Sequence, residues 1–211
     1  MASRAIESWA SYPLNEQDPY WILQELPRTE ARAQFERTMT SKSDRIVALR
    51  NLLEPVGNSL DGSDRDVQLL NDWFVEAMSP LSGTDTPDGV SLSVCEDVAL
   101  YLGDLMISRH PELYWEFFTW GKKNVSYQCH VIMGFPFDGP ALHANLDLAR
   151  IVHSYGVHVL EARSGSPTIL ELPEGHPLNQ FRLDPVPLKA QNFVELLDKT
   201  SRRFIPKNRS D

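Results

Sequence analysis

Residues 93–135 read SVCEDVALYLGDLMISRHPELYWEFFTWGKKNVSYQCHVIMGF. The first half has a helical period. Val94, Val98, Tyr101, Leu102 and Leu105 recur on one face. Ser93 and Glu96 form an S-x-x-E pair, which predicts a capping box at the helix start. His110-Pro111 predicts its end. Gly103 sits inside this run at a cost of about 1 kcal/mol against alanine, which predicts close approach of another backbone. Beyond Pro111 the texture changes. Leu113 to Trp120 is aromatic and reads as a strand, Gly121 to Asn124 as a turn, and Val125 to Phe135 as a second strand. A helix that runs directly into a hairpin predicts an α+β fold.

Working outward toward the N-terminus, residues 63–78 show a second strong helical stripe of Val67, Leu70, Phe74 and Met78, widened by Leu69 and Trp73, with Ser63 or Asp64 as cap. Residues 79–92, SPLSGTDTPDGVSL, read as a loop. Before them two helices are predicted. One runs from Thr29 through Ala31, Phe35 and Met39, and another from Ser43 or Asp44 through Ile46, Leu49 and Leu53 to Pro55 and Gly57. Trp9, Tyr12, Tyr20 and Trp21, interleaved with Pro13, Pro19 and Pro27, predict an aromatic arm over residues 1–27, packed on the body.

Toward the C-terminus a helix is predicted from Ala141 to Tyr155, terminated by Gly156. Val157–Arg163 and Thr168–Leu172 read as two further strands joined at Ser164–Pro167. The expected organisation is therefore a single domain over 1–211. Its parts are the arm, a helical part at 28–110, a strand-rich part at 111–172, a proline-rich loop at 173–189, and a last helix at 190–205 carrying Phe193, Leu196 and Leu197. The helical half packs on a small, mostly antiparallel sheet.

Composition narrows the function classes. The chain has 211 residues with 42% hydrophobic and 23% charged, the balance of a globular protein. No run approaches the roughly 18 apolar residues of a membrane span, and no signal-peptide pattern opens the sequence, so a cytoplasmic address and no membrane partner are expected. Cys95 and Cys129 are too few for a disulfide framework and read as buried thiols. The net charge of −9 is concentrated: residues 51–120 carry two basic residues, Arg65 and Arg109, against thirteen carboxylates. Such a field opposes nucleic-acid binding and draws in a basic partner.

Chemistry-bearing motifs are few. There is no P-loop, no dinucleotide-binding glycine pattern and no G-x-S-x-G elbow. The six histidines show no standard ligand spacing, so no metal and no other cofactor is expected. Asp61, Asp64 and Asp66 lack the pattern of a calcium loop. Trp120, beside Gly121-Lys122-Lys123, reads as an exposed contact.

Tyr101-Leu102-Gly103-Asp104 on a helix, then a strand tryptophan, Trp115, then a second strand ending Val131 to Gly134, resembles uncharacterised bacterial proteins. Some of these are encoded near polymorphic toxins and regarded as immunity-type. The resemblance spans about forty residues of 211. It implies a non-catalytic binding module that occludes a basic partner through acidic residues. Asp61, Asp64, Asp66, Asp72, Glu76, Asp85 and Asp88, with Trp120, are then the expected contact residues. Two alternatives stand beside it. One is an enzyme with a pocket between sheet and helices, whose first residues would be His130, Cys129 and Glu116. The other is an assembly component that pairs through the aromatic arm.

Overall fold

The computed structural model describes residues 12–16, 18–78, 89–136, 144–164, 188 and 190–204. The elements run α1 (Tyr20–Leu23), α2 (Arg28–Leu53), a 3-10 turn (Glu54–Val56), α3 (Asp64–Ala77), α4 (Gly89–Arg109), β1 (Tyr114–Phe117), β2 (His130–Met133), α5 (Leu148–Ser164) and α6 (Asn192–Arg202). The class is α+β, with the helical half first and the sheet after it.

Helix α4 is the hub. Thirteen of its 21 residues are buried, so it is enclosed on nearly all sides, as its near-continuous apolar sequence requires. It packs against α2 on one side and α5 on another, and α6 reaches it as well. β1 and β2 pair antiparallel, with Trp115 opposite Ile132 and Phe117 opposite His130. The hairpin expectation holds, with strands of four residues each, shorter than their apolar runs. Residues 125–129 are turns instead. Phe118 donates its N–H to the Cys129 carbonyl and accepts from the Gln128 N–H around a bend in which Gln128 takes φ +65°, and the Gln128 side-chain amide donates to the Leu23 and Leu26 carbonyls.

Several boundaries differ from expectation; the helix expected from Ala141 begins at Leu148, since residues 144–147 are not helical and Leu146 instead bridges Ile132. The two helices proposed for 29–54 are one helix of 26 residues. Ser43 and Asp44 do not start a new helix, because neither glycine nor proline interrupts this stretch. The hydroxyls of Thr38, Thr40 and Ser41 also donate to carbonyls one turn back, so polar residues stay within the helix. Helix α4 begins at Gly89, not Ser93, so there is no capping box. Ser93 donates to the Gly89 carbonyl and accepts from the Asn15 N–H, while Glu96 turns toward His130. The part of the 79–92 loop that lies among the described residues is helical.

Gly156 does not end a helix. It lies within α5, where a Cβ would meet Met78 Cε at 2.8 Å and Cys95 Sγ at 3.2 Å. Its missing side chain lets α5 seat against α3 and α4. The strand expected at 157–163 is helical, because Val152, Tyr155, Val159 and Leu160 continue one buried face at helical spacing. Among the described residues, the strand-rich part therefore comprises the hairpin and an isolated bridge between Ile132 and Leu146. Thr168–Leu172, Ala141–His143, Trp9 and most of the proline-rich loop lie outside the described residues.

The other elements form as read. Ser63 caps α3 by accepting from the Asp66 N–H at 3.2 Å, and Val67, Leu70, Phe74 and Met78 are fully buried. Phe74 stacks on Tyr155 at 5.6 Å and meets Phe193 edge-on at 5.3 Å, joining α3, α5 and α6. Asn71 completes the joint, accepting from the Phe193 N–H and donating to the Ala190 carbonyl. Tyr12, Tyr20 and Leu23 bury the described part of the arm against the core.

Candidate functional site

Asn15, Asp18, Pro19, Tyr20 and Trp21 of the arm face α2, the first turns of α4, β2 and α5 across a cleft of about 110 Å³. Its floor carries charge. Glu96 and Asp97 are adjacent on α4, so their side chains leave the helix about 100° apart and serve different purposes.

Asp97 faces α2. The Arg45 guanidinium grips it in a fork, Nε to Oδ1 at 2.8 Å and Nη2 to Oδ2 at 2.6 Å, and the Tyr12 hydroxyl donates to the same carboxylate. The Asp97 side chain is fully buried. Burial lifts its pKa to about 6 against the opposing pull of Arg45, so at neutral pH it is a carboxylate held in place by its partners. Arg45 also donates to the carbonyls of Pro13 and Leu14. This cluster ties the arm down over the cleft, with Asn15 to Ser93 and Gln34 to the Asp18 carbonyl as further ties.

Glu96 faces the cleft. Its Oε1 lies 2.6 Å from His130 Nε2, within charge-pair distance, yet that buried nitrogen makes no aligned hydrogen bond. Both side chains are largely hidden, 16% and 7% exposed. Burial works against a protonated His130, but the Glu96 carboxylate outweighs it and raises the pKa above the ordinary histidine value. A second histidine on the cleft behaves oppositely. His153 on α5 is pushed down by burial, and its Nδ1 sits 3.2 Å from the Tyr20 hydroxyl. The cleft thus holds one imidazole biased toward the cation and one biased toward neutrality, a separation common at binding and reaction sites. Cys95 also lines it, its thiol held protonated by burial.

The residues expected from sequence are distributed differently. Asp66 is turned inward. Only 6% exposed, it accepts from the Ser59 N–H, the Ser59 hydroxyl and the Asp61 N–H, so it shapes a turn and is not available to a partner. Hydrogen bonding from Ser63, side chain first and N–H second, holds Asp61 below the usual carboxylate value. Asp64 pairs with Arg109 at 2.9 Å, and Asp72 accepts from Gln68 at 2.7 Å. Asp64, Asp72 and Glu76 do share the exposed face of α3, and Trp120 is 54% exposed. Asp85 and Asp88 lie outside the described residues.

Three of the thirteen central carboxylates are matched by partners from other segments: Asp97 by Arg45, Asp104 by Lys42 and Glu96 by His130. The proposed trio of His130, Cys129 and Glu116 does not assemble. Glu116 sits opposite Val131, one register step from the Phe117–His130 pair, and so faces the other side of the sheet. Cys129 is fully buried, its thiol directed at the Tyr20 carbonyl at 3.7 Å and its pKa lifted to about 12 by burial. His130 is at the site, but with Glu96 as its partner.

Glu96, His153, Tyr20 and Trp21 were not singled out from sequence as site residues. A signal for Glu96 existed: two consecutive carboxylates in an otherwise apolar helix must find partners when that helix is buried. Among the described residues, no three His, Cys, Asp or Glu side chains converge as metal ligands, and no helix is long and apolar enough to cross a membrane. No family model, curated protein or solved structure matches the chain.

Proposed function

We propose that this chain is a binding protein for a small polar ligand received in the arm-covered cleft. The observation that carries this reading is the Glu96–His130 pair, two opposite charges from different elements held at the edge of a cavity. A buried ion pair is weak support for stability, since apolar residues of equal volume serve as well or better. A pair that borders a cavity, beside an imidazole biased the other way, is better accounted for by recognition. At about 110 Å³ the cleft is somewhat smaller than the roughly 150 Å³ cavity that admits benzene, so it suits a group of about five heavy atoms.

Thermal unfolding against a panel of small amines, amides, alcohols and carboxylates tests this. A ligand at 100 times its Kd adds about 2.7 kcal/mol, which raises the Tm of a chain this long by roughly 5–10 °C. The shift should disappear in Glu96→Gln. A panel without effect on the native protein would count against the cleft.

A second reading rests on a separate observation. Asp64, Gln68, Asp72 and Glu76 follow one another every fourth residue along the outer face of α3, with Asp61 just before them. This stripe supports an immunity-type module that steers a basic protein partner. Capture of a basic protein from native lysate at low salt, released by salt and lost in Asp72→Lys/Glu76→Lys, would favour it. Retention of the partner by that double variant would remove it.

A further inference from the structure

We infer that the cleft is built for an organic ammonium group, which the Glu96 carboxylate receives by displacing the proton of His130. The inference rests on the small-ligand reading above and specifies its chemistry.

The first argument is charge. Glu96 supplies a carboxylate to the cleft and Asp18 also lines it, while His130, which Glu96 biases toward its protonated form, is the lining residue opposite in charge. His153, which a cation would otherwise meet as a like charge, is kept toward neutrality by burial. Asp97 lies behind, occupied by Arg45 and Tyr12. An incoming anion would face the Glu96 carboxylate, and the Arg150 guanidinium beside Tyr20 is already paired with Asp147. An incoming cation meets a carboxylate whose present partner, an imidazolium, can give up its charge by losing a proton.

The second argument is the wall. Tyr20, Trp21 and His153 form a three-ring corner. Tyr20 meets Trp21 edge-on at 5.1 Å, and the Trp21 and His153 rings lie 5.0 Å apart, tilted by 42°. Arg150 already covers the Tyr20 ring at 4.6 Å, so a cation is seated on this corner in the unliganded fold. Trp21 is 42% exposed at the mouth, where an indole provides the strongest ring surface for a cation.

The third argument is linkage. The His130 pKa lies above the ordinary histidine value because Glu96 outweighs the effect of burial, with Asp147 adding in the same direction. A ligand that takes over the Glu96 charge removes most of that support, and His130 then releases its proton. Of the other ionisable groups nearby, Asp97, lifted to about 6, changes state at the acid end of this range, and His153, pushed down by burial, does so below the ordinary histidine value. Arg150 pairs with Asp147 at 3.2 Å, the Cys95 and Cys129 thiols are held protonated, and the Tyr20 hydroxyl is raised by burial. Affinity for a permanent cation therefore rises with pH.

Calorimetric titration of the full chain with tetramethylammonium tests this, since that ion has five heavy atoms and no titratable proton. tert-Butanol and pivalate serve as neutral and anionic compounds of similar shape. Tetramethylammonium is expected to bind at least tenfold more tightly than either. Its affinity should rise about tenfold from pH 6 to pH 8, with proton release that varies with buffer ionisation enthalpy. Trp21→Ala, at an exposed position, should weaken binding about threefold to tenfold. His130→Gln should remove most of the pH dependence while retaining binding. Equal or tighter binding of pivalate or tert-butanol would overturn the ammonium assignment and leave the cleft as a ligand site. Absence of binding by all three would overturn the assignment, and only a silent small-molecule panel would remove the cleft itself.

Discussion

Replacement of Arg45 by methionine is expected to destabilise the fold by about 3–5 kcal/mol at neutral pH, because it leaves the buried Asp97 carboxylate without its counter-ion. The Asp97 side chain is fully buried, and Arg45 provides both arms of its fork. The loss depends on pH in a defined direction. In the native fold the Asp97 pKa is raised to about 6 from an ordinary 3.8, so the folded state holds that proton more tightly than the unfolded chain. The stabilisation contributed by that proton is fully present below the ordinary value and is lost as pH rises through the folded value. Without the guanidinium, which opposes the rise, the folded pKa moves higher still. Urea unfolding of Arg45→Met should therefore show a deficit that shrinks toward pH 4 and widens above pH 6. Asp97→Asn in the same background should recover much of the loss at pH 7. An Arg45→Met deficit that is constant across pH 4–8 would show that Asp97 is not the group left behind.

Gly103→Ala carries the other large effect. A Cβ at Gly103 would fall 2.1 Å from Trp115 Cζ2 and 2.5 Å from Cη2. The indole cannot swing aside freely, since its Nε1 donates to Asp104 at 2.9 Å, and Asp104 is also held by Lys42. Alanine gains about 1 kcal/mol in helix propensity, but overpacking at this contact outweighs it. The expected net loss is about 2–3 kcal/mol, a Tm roughly 4–12 °C lower. Trp115→Leu, costly by itself, should become less so when Gly103→Ala is already present. Calorimetry of the four proteins in this cycle measures that coupling, and additive losses would mean that the ring and the glycine do not share the space.

These two sites show how far the sequence could be read. Gly103 was legible as a place of close approach, because a glycine inside a strong helix needs a reason, but the approaching group is an indole and not a backbone. Helices α3 and α6, the hairpin and the α+β class follow from periodicities that local residues set. Most of the misreadings share one cause. Ser43, Ser93, Gly156 and the Val157–Arg163 run each carry a local preference for a cap, a terminus or a strand; Ser43 yields to an uninterrupted helix, and the others chiefly to contacts distant in sequence. Ser93 is taken up by Asn15 and by Gly89 one turn back, and Gly156 by Met78 and Cys95. The site was less legible than the fold for the same reason. The acidity of residues 51–120 is visible as a sum, but its meaning depends on partners such as Arg45, Lys42 and His130, which no local pattern pairs with Asp97, Asp104 and Glu96.

The way the cleft is put together also bears on its biosynthesis. Its walls come from the arm, from α2, from α4, from β2 and from His153 on α5. A chain emerging from the ribosome could close α2 against α4 early, bringing Arg45 to Asp97 and the arm to its anchor. The carboxylate of Glu96 would at that point face an unfinished pocket, with His130 and then His153 still to be synthesised. On the proposed reading, ligand recognition would be complete only once the segments that carry His130 and His153 have joined the earlier helices.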